Sequence, residues 1–123
     1  MQTHSNILEL RRHSTSLMDR CIDHCLDSFV ACTKALTHRA AYGDELDSEH
    51  VKLLSSCAIL CEGNAKLMLA DSSYHEESCR LTAKVARECQ EMCETMGEED
   101  PMLQECALLC KACAESCEAM SAH

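Results

Sequence analysis

The chain has 123 residues, with 11 Lys and Arg against 21 Asp and Glu and a formal net charge of −10, a length suited to a single domain spanning residues 1–123. One Pro, three Gly, three aromatic residues and no Trp exclude collagen-like and many-turned β architectures, and no apolar run approaches the ~20 residues of a membrane span. Acidity without a basic stripe or stacking aromatics also excludes the usual means of gripping nucleic acid, so neither nucleic acid nor a membrane is expected as a partner.

Breakers are few, and they separate stretches of helical apolar spacing into four predicted helices, roughly 6–41, 47–71, 73–96 and 101–121. In the first, Met18, Cys21, Cys25, Ser28 and Cys32 share one phase, and Ser14-Thr15-Ser16 marks a break that sets the preceding residues apart as an extension or a short helix. Gly43-Asp44 closes it. The second carries His50, Leu54, Cys57, Cys61, Asn64 and Met68 in phase, and its further apolar residues, such as Val51, Ile59 and Leu69, exceed one core-facing stripe and call for an oligomer. Ser73 with Glu76 reads as a capping box opening the third helix, whose seam is Cys79, Thr82, Ala86, Cys89, Cys93 and Met96. Gly97 suits a helix C′ position, Asp100 a cap and Pro101 the first turn of the fourth helix. In that helix Cys106, Cys110, Cys113 and Cys117 follow a +4, +3, +4 spacing, with Leu103 before them and Met120 after. Connections this short make successive helices antiparallel, which predicts an all-α, up-down-up-down four-helix bundle with cysteines lining its interior.

The 12 cysteines decide the chemistry. Met1 to Ser16 is polar, with no apolar stretch of the kind an export signal carries, so the expected compartment is the cytoplasm. Thiols stay reduced there, and dense cysteine points to metal binding ahead of cross-linking. Threaded antiparallel at ~1.5 Å per residue, the thiols spread along roughly 25 Å of bundle axis. A single zinc or iron–sulfur site would leave most of them unused, whereas a thiol-lined tube suits many ions.

Cys21/Cys25, Cys57/Cys61, Cys89/Cys93, Cys106/Cys110 and Cys113/Cys117 are Cys-x3-Cys pairs. Their Cβ atoms lie ~5–6 Å apart on one helix face, wide for a disulfide but suited to clamping a metal between two sulfurs. Soft thiolates select Cu(I), which accepts two ligands where zinc prefers four, and bridging thiolates would allow about one copper per cysteine. Met18, Met68 and Met120 fall at one end of the threaded tube. Neutral, soft thioethers there would pass Cu(I) inward without trapping it. His13 and His75 fall near that end, and His50 and Met96 at the other. A histidine near a helix end is more often solvated or capping than a ligand, and the spacing leaves the roles of His13, His50, His75 and Asn64 open.

Cys106-Ala-Leu-Leu-Cys110-Lys-Ala-Cys113-Ala-Glu-Ser-Cys117, Cys57-Ala-Ile-Leu-Cys61 and Cys89-Gln-Glu-Met-Cys93, on a short aromatic-poor chain, resemble the four-helix-bundle copper storage proteins. The resemblance implies storage of many Cu(I) ions inside the bundle, a homotetramer, and Met and His near an open end. Its cytosolic branch fits best, with a copper chaperone or chelator delivering or removing the ions. Ser14, Ser28, Leu54, Asn64, Thr82 and Ala86 occupy in-phase positions where further cysteines would lengthen the copper chain.

Three other readings compete: a zinc or cadmium thiolate reservoir, an iron–sulfur electron-transfer protein, and a structural bundle packed with reduced cysteine. Cys106 to Cys117 span roughly 16 Å of one helix, too far for one cubane. No phosphate loop, nucleophile elbow or paired-carboxylate motif is present, and Cys110-x2-Cys113 lies within a helix seam, not after a strand, so no enzymatic activity is expected.

Overall fold

A computed structural model describes residues 16–41 and 48–121. It contains four helices: α1 Leu17–Ala41, α2 Ser48–Leu69, α3 His75–Met96 and α4 Pro101–Ser121. There is no strand among the described residues. The part of the first helix expected before Ser16, the Gly43-Asp44 break, His13 and His123 lie outside them. α1 packs on α2 and α4, and α3 on α2 and α4, which is the four-sided arrangement expected of an antiparallel bundle.

The helix ends follow local chemistry. Ser16 accepts the Asp19 N–H on its Oγ at 3.0 Å, capping α1 at the expected break. At the end of α2, Asp71 adopts φ 53°, its N–H donates to the Met68 carbonyl, and the Ser72 N–H donates to the Leu67 carbonyl. This paired closure normally favours Gly at the left-handed position, and Asp tolerates it.

The capping box expected at Ser73 is not formed. α3 begins at His75 behind Tyr74, without a side-chain cap. The Ser72 hydroxyl instead accepts the Tyr74 N–H at 3.1 Å, so the local turn uses the serine one residue earlier and moves the helix start past Ser73. Asp100 and Pro101 behave as expected: Asp100 Oδ1 accepts the N–H groups of Met102 and Leu103 at 3.0 and 3.4 Å, and Pro101 is the first residue of α4.

Gly97 ends α3 at φ −108°, so a left-handed backbone is not the reason for glycine there. The reason is proximity. A Cβ at this position would lie 2.3 Å from the Leu103 Cβ and 2.6 Å from the Cys93 carbonyl oxygen. Leu103 is fully buried, so the α3–α4 corner closes directly onto the core. At Gly63, within α2, a methyl group would meet nothing within 4 Å. Gly97→Ala should therefore destabilise the reduced metal-free protein by about 1–3 kcal/mol, and Gly63→Ala should stabilise it by about 0.5–1 kcal/mol. Denaturant unfolding under reducing conditions checks both.

Candidate metal centre

The 3- and 4-residue spacings carry every cysteine inward. All 12 are buried and unbridged, 11 of them with no exposed surface and Cys57 with 1%. The bundle brings thiols from different helices into near contact. At one end Cys21 on α1 lies 3.6 Å from Cys117 on α4. Cys25 follows, 3.7 Å from Cys113 and 3.8 Å from Cys117. Cys61 lies 3.7 Å from Cys113 and 3.9 Å from Cys57, and Cys57 lies 3.9 Å from Cys110. Cys32 meets Cys110 and Cys106 at 3.8 and 3.7 Å. The sulfurs thus form one continuous column.

Within it, four sets of sulfurs lie mutually within 4.8 Å: Cys21, Cys79 and Cys117; Cys25, Cys113 and Cys117; Cys32, Cys57, Cys89 and Cys110; and Cys89, Cys93 and Cys106. With metal–sulfur bonds near ~2.3 Å, a linear pair spans roughly 4.6 Å and a trigonal set has edges of roughly 4.0 Å. These sulfurs are therefore spaced for single ions bound by two or three thiolates. Cys117 and Cys89 each belong to two sets, the arrangement that lets a thiolate bridge neighbouring ions. The set of four draws one thiol from each helix, a convergence that spacing along single helices does not disclose. Its compactness accommodates one ion and not a cubane.

The thiols share protons. Cys110 is pushed below the ordinary thiol range chiefly by its contact with Cys106, and Cys25 by its contact with Cys113. Cys93 is lowered by Cys106, then by Cys89 and His50. Cys89 is raised by Cys106 and its other thiol neighbours. Each lowered thiol is thus matched by neighbours that hold their protons more firmly. Binding a metal ion displaces such a shared proton, since the thiolate is the ligand.

Polar side chains line the column beside the sulfurs. Asn64 is 1% exposed, and its Nδ2 lies 3.4, 3.5 and 3.5 Å from the sulfurs of Cys25, Cys79 and Cys117, while the Cys79 thiol donates to its Oδ1 at 3.6 Å. Two amide hydrogens face three sulfurs, so the amide lines the tube. Ser28 Oγ sits 3.4 Å from both Cys110 and Cys61. Thr82 is fully buried, and its hydroxyl has no hydrogen-bond partner among the described residues.

The methionines frame one end: Met68 is 2% exposed, and Met18 and Met120 pack partly buried against the core. His75 opens α3 at the same end. At the other end His50 is not the solvated side chain that its place near a helix start suggests. His50 is fully buried, and its Nε2 faces the Cys93 sulfur at 3.7 Å. The signal is its phase, seven residues before Cys57 on the inward stripe of α2. Proximity to a helix start is the weaker guide, because the seam continues inward through the first turn. His24 engages Ser116 across α1 and α4, outside the column.

This is a bundle built to hold soft metal ions in its interior. A family model described as copper storage protein matches residues 14–122, and the chain belongs to that family. The Cu(I)-bound copper storage protein BsCsp3 is 31% identical over 86% of this chain and 99% of its own, with a TM-score of 0.73. The apo form of copper storage protein 3 from Bacillus subtilis is 32% identical over 84% and 97%, with a TM-score of 0.72. The Nmul_A1745 protein from Nitrosospira multiformis is 27% identical over 86% and 95%, with a TM-score of 0.78. A comparison with curated protein sequences gives no significant match.

Burial of the whole thiol set gives a direct chemical test. In the absence of oxygen and metal, a charged thiol reagent should label the folded protein slowly and denatured protein promptly at all 12 cysteines. Prompt labelling of more than a few thiols in the folded state would contradict the closed column.

Proposed function

We propose that the chain is a cytosolic Cu(I) store in which Cys21, Cys25, Cys32, Cys57, Cys61, Cys79, Cys89, Cys93, Cys106, Cys110, Cys113 and Cys117 hold the ions. The observation that carries this reading is the unbroken column of buried thiols, whose shared members multiply the number of sites beyond separate ligand sets. Met18, Met68 and Met120 admit copper at their end of the tube, where neutral thioethers bind more weakly than thiolates. The family is one of storage, so the role is binding and release, not catalysis.

The chain works as a homo-oligomer, a tetramer by the family resemblance. Ile59 and Leu108, 70% and 69% exposed, are the apolar surface that association would cover. No described helix is long and apolar enough to cross a membrane. A chaperone or small chelator exchanges copper with the store.

One observation supports a zinc reading. Cys32 and Cys57 lie 3.8 and 3.9 Å from Cys110, close to the roughly 3.8 Å edge of a tetrahedral zinc–thiolate site. Stoichiometry separates the two. Anaerobic titration of the reduced protein against a chromophoric chelator should show tight uptake of about ten or more Cu(I) per chain, which only shared thiolates supply. Zinc should stop near about one, since only one set of four is present among the described residues. Copper uptake of one or two would reject storage. Loading should also raise the thermal midpoint above that of the metal-free protein, because the shared sites that bridge helices form only in the folded bundle.

A further inference from the structure

His50 stands where a core side chain should be apolar. One turn further along α2, Leu54 is fully buried, and so is Leu103 on α4, so the interior accepts aliphatic residues on both of these helices. An imidazole in the same interior brings two nitrogens out of water. Its Nδ1 has no hydrogen-bond partner among the described residues, and its Nε2 has a single neighbour of note, the Cys93 sulfur 3.7 Å away on α3. Packing leaves this residue unexplained. An ion on Nε2 would account for an imidazole turned toward a thiol.

We infer that His50 Nε2 and Cys93 Sγ together hold a Cu(I) ion that closes the thiol column at the end away from the methionines, a mixed nitrogen–sulfur site beyond the all-cysteine set. The inference rests on the Cu(I) reading above. Cys93 also belongs to the set with Cys89 and Cys106, so the ion would be the next in line, bridged to the column through the Cys93 sulfur. With bonds near ~2.0 Å to nitrogen and ~2.3 Å to sulfur, a linear unit spans roughly 4.3 Å. The observed separation suits a bent unit, or a linear one after the two heads part by about 0.6 Å.

The exchange balances simply. The Cys93 S–H bond breaks, its proton leaves to solvent, and Cu(I) takes its place between sulfur and nitrogen, with no change of oxidation state. The neutral tautomer with its proton on Nδ1 presents the Nε2 lone pair to the ion.

Cu(I) is diamagnetic, so the histidine ring nitrogens of the unmodified, 15N-labelled protein can be followed by long-range proton–nitrogen NMR during anaerobic loading. The His50 Nε2 resonance should move strongly by saturation, while that of His24, which engages Ser116, should stay. In parallel, His50→Leu should take up one ion fewer than the parent chain, and His50→Cys should restore it. An unmoved His50 Nε2 in protein that has taken up about ten or more ions would overturn this site and leave storage intact. Equal uptake by His50→Leu and the parent would do the same. Uptake of only one or two ions by the parent chain would remove the storage reading and this inference with it.

Discussion

The fold depends on the mutual approach of thiols from antiparallel helices. Cysteine side chains are short, so they meet across the bundle only if the helices close on one another. Among the described residues, the buried apolar side chains are cysteines and alanines apart from Ile22, Leu54, Met68 and Leu103. Small residues bring the axes together and place sulfur against sulfur. They also remove less apolar area from water than leucine would, and hydrophobic stabilisation follows that area at ~25 cal/mol per Å². The interior is thus arranged at the expense of ordinary packing energy, and metal bridges between helices are the natural supplement.

The polar side chains beside the column fit the same reading. Ser28 and Asn64 contact sulfurs of the column directly, while the Thr82 hydroxyl lies buried without a partner among the described residues. A buried, unpaired hydroxyl costs about 1–3 kcal/mol, a burden that a core selected for stability alone would shed by using valine. Asn64 offers both donors and an acceptor to the Cys25, Cys79 and Cys117 neighbourhood. It therefore serves protonated and ionised sulfur alike, which a methyl group cannot do.

Much of this is legible in the sequence because helical periodicity is a local property. The spacing of Cys106, Cys110, Cys113 and Cys117 places four thiols on one face before any partner helix is known, and Asp100 and Pro101 announce the start of α4. The convergence of Cys32, Cys57, Cys89 and Cys110 is not legible, because it depends on the relative heights of four helices. Ser73 and Gly97 mislead in instructive ways. The serine competes with Ser72 for the same turn, and the glycine answers to a contact with Leu103 and not to a backbone angle. For His50, phase and position point in opposite directions. The phase is the better evidence, since burial follows the seam to its end.

Charge balance links stoichiometry to the choice of metal. When Cu(I) replaces the proton of a thiol, one positive charge leaves and one arrives, so a column carrying about one copper per cysteine stays neutral. That neutrality matters in a water-poor interior, where an uncompensated charge is costly. Zinc at Cys32, Cys57, Cys89 and Cys110 would bring two positive charges to four thiolates and leave two negative charges uncompensated. Ser28, beside Cys57 and Cys110, is neutral, and the contacting thiols Cys61 and Cys106 would resist ionisation next to a negatively charged set. Partial copper loading meets the same constraint, since every thiolate beyond the copper count must be reprotonated or shared between two ions. The shared positions of Cys89 and Cys117 allow the second course. A column of closely spaced neutral acids therefore favours filling with a monovalent soft ion, in steps that each release a proton, until sulfur and copper are nearly equal in number.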